Sequence, residues 1–483
     1  MTIKQFALLL SATFLPCSWG EYCENTILAQ KQVHILSVND MHANIDNMPK
    51  LAAVADSLRS LYPELIILSG GDNRTGNPYN DRNAEPSRPM TELMNAIGFN
   101  ASAIGNHEFD ANIEGLRTQI NRSRFPYLCA NVFLPDTMRT HVYPYRFIDA
   151  NGVRIGLLGG IQINSANIPD CHIDRIKGVT FRNIDDVIPD YEWMRSQCDI
   201  FILLSHNGYL ADSITAMKYP FLDAIIGGHS HTKIDGAKYH NGVMVTQAKN
   251  KVQFATLSTF EVSEGKVTAK SARLINVGTN SSENKEVKAL VETFQDSPVL
   301  RQALTQVASP FNTKEELGNM EMDALIAETG ADIAIQNGGG VRYDTHDVGP
   351  FTVYDLLALD PFGNNAIVYE MTGKEVADFI MNDFDVDEKQ IPIVGGIRYV
   401  MKIDKETKHP KSIKIELLDG SKFSEKATYK MVTNSYAKSI STSPKTDQGT
   451  DLQMPCSDYV ERWLRKQQSL NYTDSSRAKV IIE

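Results

Sequence analysis

The sequence predicts an α/β protein built from two successive patterned units. From Val33 to about Leu274, short β-rich runs alternate with amphipathic helical patterns, and a second α/β stretch runs from about Phe311 to the end. Between them, "NVGTNSSENKE" (276–286) is polar and rich in Asn and Ser, which marks a boundary. The chain has 483 residues, 42% of them hydrophobic and 22% charged, an ordinary globular balance with enough length for two or three full cores. There is no internal repeat and no low-complexity tract.

In chain order, residues 1–20 come first. Lys4 precedes the apolar run Phe6–Leu10, and small residues follow at Ser18 and Gly20. This has the form of a secretory signal peptide cut after Gly20, so the expected location is periplasmic or secreted. The run is too short to span a bilayer, and no later stretch is long and apolar enough to do so. The runs "VHILSV", "LIILSG", "ASAIG", "YLCANV", "RIGLLGG", "IFILLSH" and "AIIGGH" then read as strands. Pro49–Leu61 and Pro89–Ile97 read as helices between them. Alternating strands follow at Phe254–Val262 and Val267–Leu274, and Lys285–Ala308 reads as one helix.

Charge and cysteine content narrow the function. Lys and Arg number 48 against 59 Asp and Glu, a net charge of −11. That argues against nucleic-acid polymers and anionic membranes as partners, and an anionic substrate would need local positive charge. Cleavage would remove Cys17 and leave Cys23, Cys129, Cys171, Cys198 and Cys456. An odd count permits one or two disulfides and a spare thiol, and the sequence cannot pair them. None has C-x-x-C spacing, which argues against a thiolate zinc site.

Five motifs end or follow apolar strands with potential metal ligands. "VHILSVNDMH" gives Asp40 and His42, whose i, i+2 spacing puts both on one side if the chain stays extended. "LIILSGGD" delivers Asp72 after a glycine pair that permits close backbone approach. "SAIGNHEFD" delivers Asn106, His107 and Asp110; "FILLSHNGY" delivers His206; "AIIGGHSH" delivers His229 and His231. A lone Asp after a strand usually caps a helix, and a lone His is usually structural. Together the five motifs form an oxygen-and-nitrogen set without sulfur, which suits two ions such as Zn, Mn, Co or Fe better than Mg or Ca. A carboxylate such as Asp72 can bridge two ions about 3.5–4 Å apart, the spacing used in phosphate-ester hydrolysis.

On this ordered set, D-x-H, G-G-D, G-N-H-E-F-D, S-H and G-G-H-x-H, the chain resembles the calcineurin-like metallophosphatases. More narrowly, it resembles the bacterial periplasmic 5′-nucleotidase and UDP-sugar hydrolase family, over nearly the whole mature chain. The resemblance implies a four-layer α/β/β/α metallophosphatase sandwich at residues 30–277, a linker and hinge helix at 278–308, and a C-terminal α/β nucleotidase substrate-binding domain at 309–483. It implies that Asp40, His42 and His231 hold one divalent ion, that Asn106, His206 and His229 hold the other, and that Asp72 bridges them. Many relatives have Gln or Asn where this chain has His231, and histidine fits the same role. His107 is then free to meet substrate, with Asp110 accepting its hydrogen bond and fixing its tautomer. Glu108 reads as structural.

"EELGNMEMDA" (315–324) resembles the helix that opens the family's C-terminal domain. In "IQNGGGVR" (335–342), glycines including Gly339 let backbone N–H groups approach a ligand, and Arg342 offers a fork for phosphate or carboxylate. By resemblance, Asn337 and Arg342 match substrate-binding positions, and Phe362 of "LDPFGN" stacks on the nucleobase. Stacking accepts any base face. The chain departs from the family where many relatives carry G-G-D-G and a second aromatic wall. It reads "TNSYAKSISTSPKTDQGTDL" (433–452), with Tyr436 as the candidate.

The expected function is hydrolysis of nucleoside 5′-phosphates to nucleoside and phosphate by attack of a metal-activated hydroxide. The alternatives are a 2′,3′-cyclic-nucleotide phosphodiesterase, a UDP-sugar pyrophosphatase and an inactive nucleotide-binding protein. The last should have lost ligands, yet each expected position holds a competent residue.

Overall fold

A computed structural model describes residues 30–134, 142–382, 391–407 and 409–483. The expected signal peptide, Cys17 and Cys23 lie outside the described residues. The first domain is a sandwich of two sheets. One has the strand order Lys266–Asn276, Phe254–Ser263, Lys31–Val38, Ile66–Ser69, Ala101–Ala103, Tyr127–Leu128 and Val142–Tyr143. The other has the order Lys238–His240, Val243–Thr246, Ala224–Ile226, Ile200–His206, Val153–Ile161 and Tyr145–Ala150.

The central strands are continuously apolar because both of their faces are covered. Val33 and Ile35 point into the layer between the sheets, while Leu36 and Val38 point to the outer helices. Ile202 and Leu204 likewise face the inner layer, while Phe201 and Leu203 face outward. Helices Met48–Leu61, Arg88–Ile97, Asn112–Arg122 and Lys285–Phe294 cover the first sheet. Helix Tyr209–Lys218 and the helical turns of 184–197 cover the second. This is the expected α/β/β/α order.

The second domain is built on a mixed five-stranded sheet with the order Ile393–Gly395, Ile333–Gln336, Thr428–Asn434, Asn365–Thr372 and Thr450–Pro455. Helices Lys314–Thr329, Val353–Leu359 and Cys456–Leu464 pack on one face. Helix Gly373–Asn382 and a three-stranded sheet that includes Ile397–Ile403 pack on the other.

The single helix expected over Lys285–Ala308 is not formed. The helix stops at Phe294, and Ala303–Val307 is a strand paired with Gly349–Thr352. Pro298 lacks an N–H and pushes Ser297 out of helical geometry, so the chain turns over 298–301, with Leu300 in the turn, and Leu304 falls in the strand that follows. The helix belongs to the first domain's core and the strand to the second's. Cys129, Cys171, Cys198 and Cys456 are buried free thiols, so no disulfide joins the described residues.

Candidate active site

Every candidate ligand motif lies at the carboxyl end of a parallel strand, where the two sheets meet. In α/β sheets this edge is where ligands bind. The parallel strands Lys31–Val38 and Ile66–Ser69 continue as zipped loops. Asp40 N–H donates to Gly71 O at 2.9 Å, His42 N–H to Asp72 O at 3.0 Å and Ala43 N–H to Asn73 O at 2.9 Å. The chain is not extended at Asp40 and His42, contrary to the i, i+2 reading. Both have left-handed φ, 49° and 45°, as do Asp72 (54°), His229 (75°) and His231 (52°). Asp and His tolerate this region better than most residues, and its strain persists only where surroundings over-determine it.

Glu108 supplies much of that constraint. Its buried carboxylate accepts the N–H groups of Asp72 (2.9 Å), Asn73 (2.8 Å) and Gly105 (2.7 Å), tying two ligand loops together. Glycine is required beside it, because a Cβ on Gly105 would lie 2.1 Å from Asp72 Oδ1. Gly71, with φ 92°, leaves room for His206, whose Nδ1 would be 2.7 Å from an added Cβ.

The expected ligand atoms converge in two groups. Asp40, His42 and His231 bring one atom each within 4.8 Å of one another. His42 Nε2 and His231 Nε2 are 2.9 Å apart, and His231 Nε2 is 3.4 Å from Asp40 Oδ1. In the other group, Asn106 Oδ1 lies 3.3 Å from His206 Nε2 and 3.1 Å from His229 Nδ1. Asp72 Oδ2 is 3.1 Å from His206 Nε2, and Asp72 also shares a 4.8 Å cluster with His42 and His107.

The donor set fits cations. His206 Nδ1–H donates to Gly70 O at 2.7 Å, so its Nε2 lone pair points at Asp72, Asn106 and, at 3.9 Å, Asp40. A lone pair facing three oxygens is repulsive unless a positive charge intervenes. The same oxygens favour positive charge on the ring: burial opposes charge on His206, but Asp72 and then Asp40 raise it to about 10. Burial also disfavours the Asp72 anion, yet His206 and His107 hold its carboxyl well below the usual range.

His107 and Asp110 form the expected pair, with Nδ1 2.8 Å from Asp110 Oδ2. Burial works against a charged His107, and Asp72 and Asp110 outweigh it. His107 stands closer to the ligand cluster than its sequence position suggests, with Nε2 3.9 Å from Asp72 Oδ2.

The second domain completes the cleft. Arg342 Nη2 lies 3.3 Å from both His42 ring nitrogens and 3.4 Å from His107 Nε2. Phe362 is half-buried, stacked on His107 with centroids 5.7 Å apart and under the Arg342 guanidinium at 5.5 Å. Asn337 Oδ1 accepts from Asn434 Nδ2 at 3.1 Å, and Gly339, Phe362 and Tyr436 line the same cleft of ≈ 1160 Å³ as His107 and Asp72.

Residues 33–233 match the family model of the calcineurin-like phosphoesterases, and residues 297–441 match that of the 5′-nucleotidase C-terminal domain. The chain is a calcineurin-like phosphoesterase with a 5′-nucleotidase C-terminal domain. This phosphoesterase is 26% identical over 453 residues to Protein UshA of Yersinia enterocolitica, covering 77% of this chain and 80% of that one. It is 28% identical over 376 residues to the 5′-nucleotidase of Vibrio cholerae, covering 65% and 67%. The crystal structure of a 5′-nucleotidase precursor from Thermus thermophilus shares the fold, with a TM-score of 0.82 at 20% identity over 93% of this chain and 99% of that one.

Sequence reasoning missed several supports of the phosphoesterase site. Asp170 accepts the Asn106 amide on its carbonyl at 3.0 Å and places a carboxylate oxygen 3.6 Å from His229 Nε2. Asn39 donates to Asp40 Oδ2 at 2.6 Å, and the Asn250 amide lies 3.0 Å from His231 Nδ1. Asn39 adjoins Asp40 within a quoted motif; Asp170 and Asn250 sit in loops with no local signal. No helix among the described residues is long and apolar enough to cross a membrane.

Proposed function

We propose that this phosphoesterase hydrolyses nucleoside 5′-phosphates with two divalent ions. Asp40, His42 and His231 would hold one ion and Asn106, His206 and His229 the other, with the Asp72 carboxylate available to both. When bound, the ions supply Lewis acidity that activates water and neutralises charge on phosphoryl oxygens. Arg342 grips a phosphoryl oxygen through its guanidinium fork. His107, oriented by Asp110, carries a proton at Nε2 toward the leaving-group oxygen. Phe362 and Tyr436 take the base, and Asn337 and Gly339 take polar groups of the nucleoside. The observation that carries this reading is the approach of Arg342, from the second domain, to His42 and His107 of the first. It gives an acidic chain the local positive charge that an anionic ester needs.

A second reading, nucleotide-sugar pyrophosphatase, is favoured by the size of the cleft. At ≈ 1160 Å³ it exceeds what a mononucleotide fills, and His172, Arg175 and His409 line it as well. Product analysis at fixed metal separates the readings: release of nucleoside and phosphate from a 5′-monophosphate, of a nucleotide monoester from a 2′,3′-cyclic nucleotide, or of a nucleoside monophosphate and a sugar phosphate from a nucleoside diphosphate sugar. Highest kcat/KM on a 5′-monophosphate is the expected result; no release from any ester would end the proposal. Export is read from residues 1–20, and N-terminal sequencing of the mature protein should begin at Glu21.

A further inference from the structure

The loop 248–252 is held from several sides. Ala248 N–H donates to Asn39 Oδ1 at 2.7 Å, and Asn39 Nδ2 donates to Lys249 O at 2.5 Å. Lys251 N–H donates to Asp40 O at 2.8 Å, and Asn47 Nδ2 donates to Lys251 O at 3.3 Å. Lys249, Lys251 and Val252 have left-handed φ values of 63°, 52° and 52°. A β-branched residue such as Val252 rarely adopts that region, so the surrounding bonds impose it. The side chain of Lys251 then crosses between the domains, and its Nζ donates to the Arg342 carbonyl oxygen at 2.8 Å.

We propose that Lys251 is a positioning residue that docks the Arg342 loop of the second domain onto the Asp40 loop of the first, and so sets the guanidinium beside His42 and His107. One residue bonds the backbone of a candidate ligand and the backbone of the candidate phosphate clamp. A shift of the loop therefore moves both.

The charges around this bond say when docking is favoured. The Lys251 ammonium reaches the Arg342 main chain, so this seam brings a second cation to the loop that carries the guanidinium. Two cations in one seam repel, at a cost that a bound anion at Arg342 would offset. Phosphate should therefore tighten the docked arrangement, with Lys251 coupling the two events.

The test compares Lys251→Met, Lys251→Arg, Arg342→Ala and the Lys251→Met/Arg342→Ala double variant in the full chain. The kinetic arm rests on the phosphoester-hydrolase reading. Lys251→Met should lower kcat/KM for a nucleoside monophosphate about tenfold, mostly through KM, with wild-type metal content. Lys251→Arg should recover most of that loss, and in the Arg342→Ala background Lys251→Met should cost less than about twofold. Equal losses in both backgrounds, or loss of metal, would overturn the proposal. A second arm needs no catalysis: distances between spin labels on the two domains, with and without inorganic phosphate. The wild type should narrow with phosphate and Lys251→Met should stay broad. Identical distributions would overturn the role of Lys251 even if no ester were hydrolysed.

Discussion

Asp72 has a left-handed φ of 54°, and its carboxylate lies 3.1 Å from His206 Nε2 and in one cluster with His42. Asp72→Ala should abolish phosphate release and empty at least one metal position, as elemental analysis would show; an active, fully metallated variant would remove Asp72 from its role. His107→Ala should keep its metals and its KM while kcat falls roughly 10²–10³-fold, typical for a lost acid–base or transition-state donor. If the metals leave instead, His107 is a ligand. Asp212 sits fully buried under the ligand loops, with Oδ1 accepting from Ser205 Oγ at 2.6 Å and Oδ2 without a partner. Burial pushes it from 3.8 up to about 7. Above the lower value the unfolded chain releases this proton while the folded chain keeps it, so stability falls as pH rises toward 7. Asp212→Asn should gain on the wild type across that window by at most about 1.4 kcal/mol per pH unit. Denaturant melts at several pH values that stay parallel would contradict this. The candidate ligands were legible because each ends or follows a short apolar run with a residue that has no reason to be buried. Asp170 and Asn250 were not, because their partners are 64 and 19 residues away and only the fold brings them together.

At the scale of elements, the short turn Asn106–Phe109 anchors the site through Glu108. Its carboxylate satisfies three buried N–H groups from two loops. Leaving such donors unmade costs about 1–3 kcal/mol each. Glu108→Ala should therefore destabilise the first domain by several kcal/mol, on the order of 3 or more, and weaken metal retention with it. Unchanged stability with lost metal would mean that Glu108 acts on the ions rather than the loops. Strands of the first domain were readable as continuous apolar runs, since both faces are covered. The segment after Phe294 was not, because Val287 and Val291 before Ser297–Pro298, and Leu300 and Leu304 after it, each keep an i, i+4 spacing. The proline decides against the spacing, and the second half pairs with Gly349–Thr352 instead.

In the whole molecule, the candidate ligands all lie before residue 232 and the candidate substrate residues all lie after residue 330. The division into two units was visible in the pattern of the sequence. Their docking was not, since nothing local announces that Arg342 meets His42 or that Phe362 stacks on His107. Tyr79 and Tyr354 also touch across the seam, with centroids 5.2 Å apart. On the proposed reading, a nucleotide in this cleft would bridge the domains, with phosphate toward the candidate ligands and nucleoside toward the second domain. Phe362→Ala should raise KM for a nucleoside monophosphate about tenfold or more, since base stacking is worth about 1–3 kcal/mol. Hydrolysis of a small aryl phosphate should barely change, and equal losses on both would assign Phe362 to packing against His107. The account turns most directly on a metal titration of chelated protein, followed by phosphate release from a nucleoside 5′-monophosphate. Activity should be absent at the start and climb to a plateau at two equivalents of divalent ion per chain. Full activity with one equivalent or none would contradict it.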